Sequence, residues 1–257
     1  MTLRFPSPVA SVLLAAGVLA GCAGTTGPKP ADYAAIVAAP DRSEADRKTD
    51  QRRDPVQLFA FTGVGPGMRV LEMGAGGGYT AEMLARAVGP ERRVVPEVRV
   101  LDAQDQPPQF PRAAEAYAAR AKGPAMRNVE HALRPFDDPL PPGVGNLDAI
   151  TFFFAYHDTV PLGVDRAKMN RRMFELLKPG GVLVVADHSA RAGDGIGAAK
   201  SLHRIEESSV VKELEAAGFR LVATGDFLRH PEDKRDVMVF KAPTPVDEFV
   251  LKFRKPQ

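Results

Sequence analysis

The chain has 257 residues, room for one large α/β domain with short extensions. Its 44% hydrophobic and 26% charged residues are a globular balance and exclude a disordered chain. A net charge of +2, no long basic run and no tryptophan leave nucleic acid without electrostatic or stacking support as a partner.

Residues 1–21 read as a signal peptide, with a single charge at Arg4 and an apolar run from Val9 to Ala20 that is too short to span a membrane. The segment ends in Leu19-Ala20-Gly21-Cys22, and Cys22 is the only cysteine of the chain. That tetrapeptide resembles the bacterial lipobox. The resemblance implies that Cys22 is lipidated, becomes the mature N-terminus and anchors the protein to a membrane. Ala23 in the next position implies sorting to the outer membrane, on its periplasmic face. An ordinary secretory signal and a cytoplasmic start placed too far upstream are the alternatives. A lone cysteine forms no internal disulfide, so it does not report the redox compartment. Residues 22–40, rich in Gly, Thr, Pro and Ala, read as a tether reaching on the order of 50 Å if extended. Residues 41–257 are then the folded domain.

Asp41 to Asp54 is highly charged, the pattern of a solvated helix face, with Ser43 placed to cap a helix and Pro55 to interrupt it. Met68 to Met73 is the first strand. It runs into Gly74-Ala75-Gly76-Gly77-Gly78-Tyr79-Thr80 and a helix from Ala81 to Val88, stopped by Gly89-Pro90. Arg93 to Val100 is a second strand broken by Pro96, Ala113 to Ala121 a helix, and Met126 to Leu133 a third strand. The apolar fourth strand is Leu147 to Phe154, and a helix from Asp165 to Leu177 follows. After Leu176-Leu177-Lys178-Pro179-Gly180-Gly181 comes a fifth strand, Val182 to Asp187, then a loop at Asp194 to Gly197 and a helix from Leu202 to Ala217. Phe219 to Thr224 and Asp236 to Lys241 close the sequence of elements as an antiparallel pair. This alternation predicts an α/β, Rossmann-like sheet of seven mostly parallel strands, with helices on both faces and an antiparallel last strand.

In such sheets, ligands collect at the C-terminal ends of the strands. Polar residues stand at three such ends: Glu72 with the glycines, Tyr156-His157-Asp158, and Asp187-His188-Ser189. His203 and Arg204 open the next helix. A turn through glycines lets a ligand lie against bare backbone, and the helix N-terminus beyond it favours polar or anionic groups. Gly76-x-Gly78-x-x-Ala81 also fits the dinucleotide fingerprint, which leaves a nicotinamide or flavin site open. His157 is the natural general base, with Asp158 and His188 as further catalytic candidates, and Asp187 or His188 could orient it. Asp158 need not touch His157, because neighbours on a strand point to opposite faces. His157, Asp158, Asp187, His188 and His203 could also supply metal ligands, but no short His-x₃-His spacing is present and the prediction is no metal. Ser189 and Ser201 lack a Gly-x-Ser-x-Gly elbow, which disfavours a hydrolase.

The glycine loop and the Leu-Lys-Pro-Gly-Gly turn about a hundred residues later resemble the class I S-adenosylmethionine-dependent methyltransferases over roughly residues 41–243. The later Leu202-His203-Arg204-Ile205-Glu206 and Ala217-Gly218-Phe219 resemble a bacterial subgroup of unassigned substrate. The resemblance implies S-adenosylmethionine as cofactor. It implies that Glu72, Gly74, Gly76, Gly78 and Tyr79 hold its amino-acid end, Glu97 (or Asp102 or Asp105) its ribose, and Asp137 (or Asp138) its adenine. Arg52 and Arg53, on a helix across the cofactor mouth, become possible substrate contacts. The function so implied is methylation of a small or lipid-like acceptor. A non-catalytic, membrane-tethered binding protein on the same fold is the alternative. A nicotinamide-dependent oxidoreductase is disfavoured by the Leu-Lys-Pro-Gly-Gly turn.

Overall fold

The computed structural model describes Met1 and residues 31–89, 94–98 and 109–257, with the backbone alone at 94–98, 109–111 and 132–133. The expected signal peptide, Cys22, Asp102 and Asp105 lie outside the described residues. Among those described, no helix is long and apolar enough to cross a membrane.

Helices α1 (Tyr33–Ala38), α2 (Glu44–Arg53) and α3 (Pro55–Thr62) come first. The Ser43 side chain accepts from the Asp46 amide to start α2, and Asp54 in the left-handed region, followed by Pro55, divides it from α3. Helix α1 falls within the segment 22–40 expected as a tether. Tyr33 is buried, stacks on Phe59 at 5.5 Å and donates to the Val64 carbonyl, because an aromatic side chain at this position finds an apolar floor.

Then follow β1 (Val70–Met73), α4 (Tyr79–Val88), β2 (Val94–Val98), α5 (Gln109–Arg120), β3 (Ala132–Leu133), β4 (Leu147–Phe153) and α6 (Arg166–Leu176). The chain continues through β5 (Leu177–His188), α7 (Ala199–Leu202), α8 (Glu207–Ala216), β6 (Arg220–Gly225) and β7 (Glu248–Arg254). The described strands form one sheet in the order β3-β2-β1-β4-β5-β7-β6. Pairing is parallel from β3 to β5, and β7 runs antiparallel to both β5 and β6.

Several expected boundaries move. Pro96 does not break β2, because β3 pairs only from Glu97 onward and leaves Pro96 a side without a described strand. The third strand shrinks to two residues after a 3₁₀ turn at Pro124–Met126. The strand expected at 236–241 is loop and 3₁₀ turn, and the antiparallel partner of β6 is instead Glu248–Arg254, which puts Phe249, Leu251 and Phe253 on one face. The helix expected from Leu202 is cut at His203, which caps α7 in the left-handed region.

Pleat alternation builds two cores. Leu71, Ile150, Phe152, Leu183, Val185 and Leu251 face α6 and α8, whereas Val70, Ala149, Val184, Ala186 and Val250 face α1, α3 and α4. Each fully buried Leu or Phe contributes roughly 1.5–3 kcal/mol. The parallel strands end together at β1, β4 and β5, which puts three polar clusters along one edge.

Candidate functional site

β1 ends in Glu72, buried on the face of Val70, and the chain then turns through Gly74, Gly76 and Gly78, all with positive φ. At Gly78 the positive φ coincides with close approach: a Cβ there would lie 2.9 Å from Arg120 Cδ and 3.0 Å from the Tyr117 ring. Gly76 is different. Its φ is +54°, and the nearest atom to a Cβ would be 4.0 Å away, so its outer side is open. Arg120 of α5 locks the loop by donating from Nε to the Gly77 carbonyl at 3.0 Å, while its guanidinium pairs with Asp46 and Glu82.

The charged helix α2 is solvated on one side only, where Glu44, Arg47 and Lys48 are exposed. Its Asp46 is buried against Arg120, and its Asp50 takes a bidentate pair from Arg42 and the Tyr79 hydroxyl at 2.6 Å. The Tyr79 hydroxyl is thus committed to α2. The ring of Tyr79 is faced by Arg42 and Arg53, at 5.7 and 5.2 Å. Arg53 also lies 4.6 Å over the Phe154 ring, and Arg52 lies 5.2 Å from it and pairs with Glu248 at 2.6 Å. Phe154 follows β4 with φ +56°, a costly conformation for a bulky residue, held by its amide bond to the Ala186 carbonyl.

Among the described residues, three buried polar atoms around the loop have no hydrogen-bond partner: Glu72 Oε2, Arg53 Nε and Tyr117 OH. Burial pushes the Glu72 carboxyl up to about 8, against the opposing pull of Thr80, Arg53 and Arg120. Burial, and then the charge of Arg52, draw the Arg53 guanidinium down to about 10.

The second cluster joins the ends of β4 and β5. After β4 the chain enters a 3₁₀ turn at His157–Thr159, which replaces the strand geometry expected there and lets Asp158 reach His157. Asp187, on the face of α6 and α8, accepts from His157 Nδ1 at 2.7 Å and from the backbone amides of His157 and His188, each at 2.8 Å. Of the two candidates for orienting His157, Asp187 does so. His157 Nε2 lies 3.2 Å from both His203 Nδ1 and Asp158 Oδ1. Burial lowers the His157 pKa, but the Asp187 charge and the bonds to Asp158 and Asp187 outweigh it and bring it to about 10. Both ring nitrogens of His157, the base expected from the sequence, are thus engaged by neighbouring side chains.

His188 points to the other face. It stacks on Phe154 at 5.4 Å and lies 2.9 Å from Glu248 Oε1, off the hydrogen-bonding direction, so its Nδ1 makes no hydrogen bond. Burial lowers its pKa. It faces away from Asp187 across the pleat, but its ring still lies 5.5 Å from that of His157.

For the remaining candidates, β2 register places the Glu97 backbone beside Met73, at the cofactor edge. Asp137 pairs with Lys168 of α6 at 3.1 Å, next to Phe136, whose ring would meet a Cβ on Gly74 at 3.7 Å. Asp138 pairs with Arg134 instead. Tyr117, Arg120 and Glu248 escape sequence reasoning, because no local pattern announces that distant elements converge on the loop. The spacing of Phe249, Leu251 and Phe253 in β7 was the one signal that could have placed Glu248.

Residues 55–102 match the family model described as protein-L-isoaspartate(D-aspartate) O-methyltransferase. Among curated proteins none matches the sequence. A solved S-adenosylmethionine-dependent methyltransferase from Aquifex aeolicus is similar at 19% identity, over 82% of this chain and 97% of that one, with a TM-score of 0.56. An arsenic(III) S-adenosylmethionine methyltransferase from Chlamydomonas reinhardtii is similar at 17% identity, over 89% of this chain and 74% of that one, with a TM-score of 0.55. The cyclase SpnF is similar at 18% identity, over 82% of each chain, with a TM-score of 0.54. At these identities the likeness is one of fold. The match over the glycine loop, together with that fold, supports an S-adenosylmethionine-dependent methyltransferase whose acceptor is unassigned.

Proposed function

We propose that the chain transfers a methyl group from S-adenosylmethionine to a small or lipid-like acceptor at the C-terminal edge of β1 and β4. The observation that carries this reading is the unpartnered pair beside the glycine loop, an acid oxygen of Glu72 and the Nε of Arg53. An amino-acid end, with one ammonium and one carboxylate, fits that pair: Glu72 accepts from the first and Arg53 donates to the second. The open side of Gly76 leaves room against bare backbone.

When bound, the cofactor supplies a methyl on a sulfonium centre, which a nucleophile displaces in line. Alignment then does most of the work. In this chain, α2 and its Arg53 wall the mouth, and Phe154, pinned between Arg53 and His188, gives the acceptor an apolar surface. The engaged His157 favours acceptors that already carry a free lone pair over those that need a base. Glu97 for the ribose and Asp137 for the adenine belong to the same proposal.

Titrating the full chain with S-adenosylmethionine, S-adenosylhomocysteine and NAD tests it. Binding of the first two and not the third is expected. NAD binding alone would overturn the reading in favour of an oxidoreductase. One observation favours a second reading, a ligand-binding protein without turnover: both ring nitrogens of His157, the candidate base, are already engaged. Cofactor binding with no methyl transfer to any amine, thiol or lipid acceptor would select it.

We further propose that the protein is exported and held at the periplasmic face of the outer membrane by a lipid on Cys22, with a cytoplasmic location as the alternative. The lipobox-like Leu19-Ala20-Gly21-Cys22 supports this. Mass spectrometry of the membrane fraction should find acylated Cys22 as the first residue, and Cys22→Ser should abolish the modification. An intact Met1 with unmodified Cys22 would sink it.

A further inference from the structure

We infer that His157, Asp158 and His203 form a binding site for one divalent transition-metal ion of the zinc class. The site stands independently of the methyl-transfer reading. Its three ligand atoms are His157 Nε2, Asp158 Oδ1 and His203 Nδ1. Their separations are 3.2 Å for His157 to Asp158, 3.2 Å for His157 to His203 and 3.5 Å for His203 to Asp158. A tetrahedral ion with ligands at about 2.0–2.1 Å has ligand–ligand edges of about 3.3–3.4 Å. An octahedral ion at the same bond lengths has edges of about 2.9 Å. The triangle is the size of one tetrahedral face, which leaves the fourth position for water or an exogenous ligand. Two imidazoles and one carboxylate are donors suited to zinc, cobalt or iron rather than to magnesium or calcium.

The surroundings are those of a built site. Asp187 is fully buried, takes the other ring nitrogen of His157 and is itself fixed by two backbone amides. A carboxylate behind an imidazole sets its tautomer, orients its ring and raises its basicity toward a metal. His203 is delivered by separate devices. It sits in the left-handed region at φ +54°, and the next two residues are clamped. Arg204 is buried on Asp233 and the Ser189 and Val237 carbonyls, and Ile205 bridges to Ser189 beside the end of β5. The left-handed cap thus breaks what the sequence reads as a continuous helix and turns an imidazole toward His157. Side-chain exposures of 17% at Asp158 and 18% at His203 give an ion a way in, whereas that of His157 is 3%. The exposed Phe240 ring, 5.2 Å from His203, lines that approach.

The test uses the full, metal-stripped chain and Zn²⁺ or Co²⁺ alone. One equivalent of Zn²⁺ should bind in calorimetry, and Co²⁺ should give the intense visible bands of a tetrahedral site. His203→Asn keeps a residue that tolerates positive φ while removing the imidazole, and Asp158→Asn removes the charge with little change of shape. Each should weaken Zn²⁺ binding by more than the roughly 10–100-fold typical of a lost second-layer partner and should abolish the Co²⁺ bands, with circular dichroism unchanged. Cys22→Ser should leave both signals intact. Absence of stoichiometric binding, or binding that survives both ligand substitutions, would show a merely hydrogen-bonded triangle and overturn the inference. If one variant misfolds, the other carries the test.

Discussion

Around the glycine loop, buried polar atoms of Glu72, Arg53 and Tyr117 stand without partners, whereas around His157 the ring nitrogens and both oxygens of Asp187 are engaged. The two regions lie at neighbouring strand ends yet treat polarity in opposite ways. A buried group without a partner costs about 1–3 kcal/mol, and a group of them gathered at one strand end calls for an explanation such as an arriving ligand. A cluster whose polar groups already pair with one another stiffens the fold before any ligand arrives. The first region thus holds polar groups open toward the cleft, whereas the second holds its donors in a fixed arrangement.

The largest expected effect strikes the saturated side. Asp187→Ala removes the acceptor of three hydrogen bonds and leaves the buried His157 Nδ1 and two backbone amides without it, which should cost about 3–5 kcal/mol in urea denaturation. A loss below about 1 kcal/mol would mean that the cluster does not stiffen the fold. On the open side, Gly76→Val should weaken S-adenosylmethionine binding on the order of 100-fold, or about 2.7 kcal/mol. Its cost to folding should be about 1–2 kcal/mol, because a side chain is forced to φ +54°. Unchanged affinity in calorimetry would make the loop purely structural.

Glu72→Gln separates stability from binding. The folded carboxyl titrates near 8, above its ordinary 4.5, so the folded chain holds a proton that the unfolded chain releases between those values. Stability should therefore fall as pH rises from about 4.5 to about 8. Glutamine removes that penalty, and the variant should be more stable than the wild type by roughly 1–2 kcal/mol at pH 8–9, with no such advantage near pH 4. Thermal midpoints across that range check it, and cofactor affinity should drop in the same variant. The smallest effect is expected at Tyr79→Phe, which loses only the bond to Asp50: about 0.5–1.5 kcal/mol of stability, with cofactor affinity unchanged. A large loss of affinity there would return the hydroxyl to the cofactor.

Much of this architecture is legible in the sequence, and for a physical reason. β1 with its glycines, β4 and β5 are continuous apolar runs with strong punctuation, so local pattern and tertiary role agree. Where they diverge, the cause is long-range. Pro96 reads as a break until the short reach of β3 frees one side of it. Asp46 and Asp50 of α2 read as solvated until Arg42, Tyr79 and Arg120 collect them. Glu72, the glycines and the His157–Asp158–Asp187 cluster could be listed in advance as neighbours at one edge. Which ring nitrogen faces which carboxylate could not, because it depends on a 3₁₀ turn and on the left-handed cap at His203. His188 shows the limit most directly: one residue from Asp187 in sequence, it belongs to the opposite face.

The pairing of β7 bears on how the molecule is made. Arg52 meets Glu248 across 196 positions, and β6, an edge strand, has β7 as its neighbour in the sheet. During synthesis, β6 leaves the ribosome well before the strand that must slide between it and β5. Until then it presents an unpaired edge, the kind of surface that holdase chaperones cover. The nascent chain also lacks the residue that anchors Arg52, so the mouth of the cleft is not finished until the far strand docks. The antiparallel insertion of β7 therefore makes completion of the cleft wall one of the last events in the synthesis of the domain.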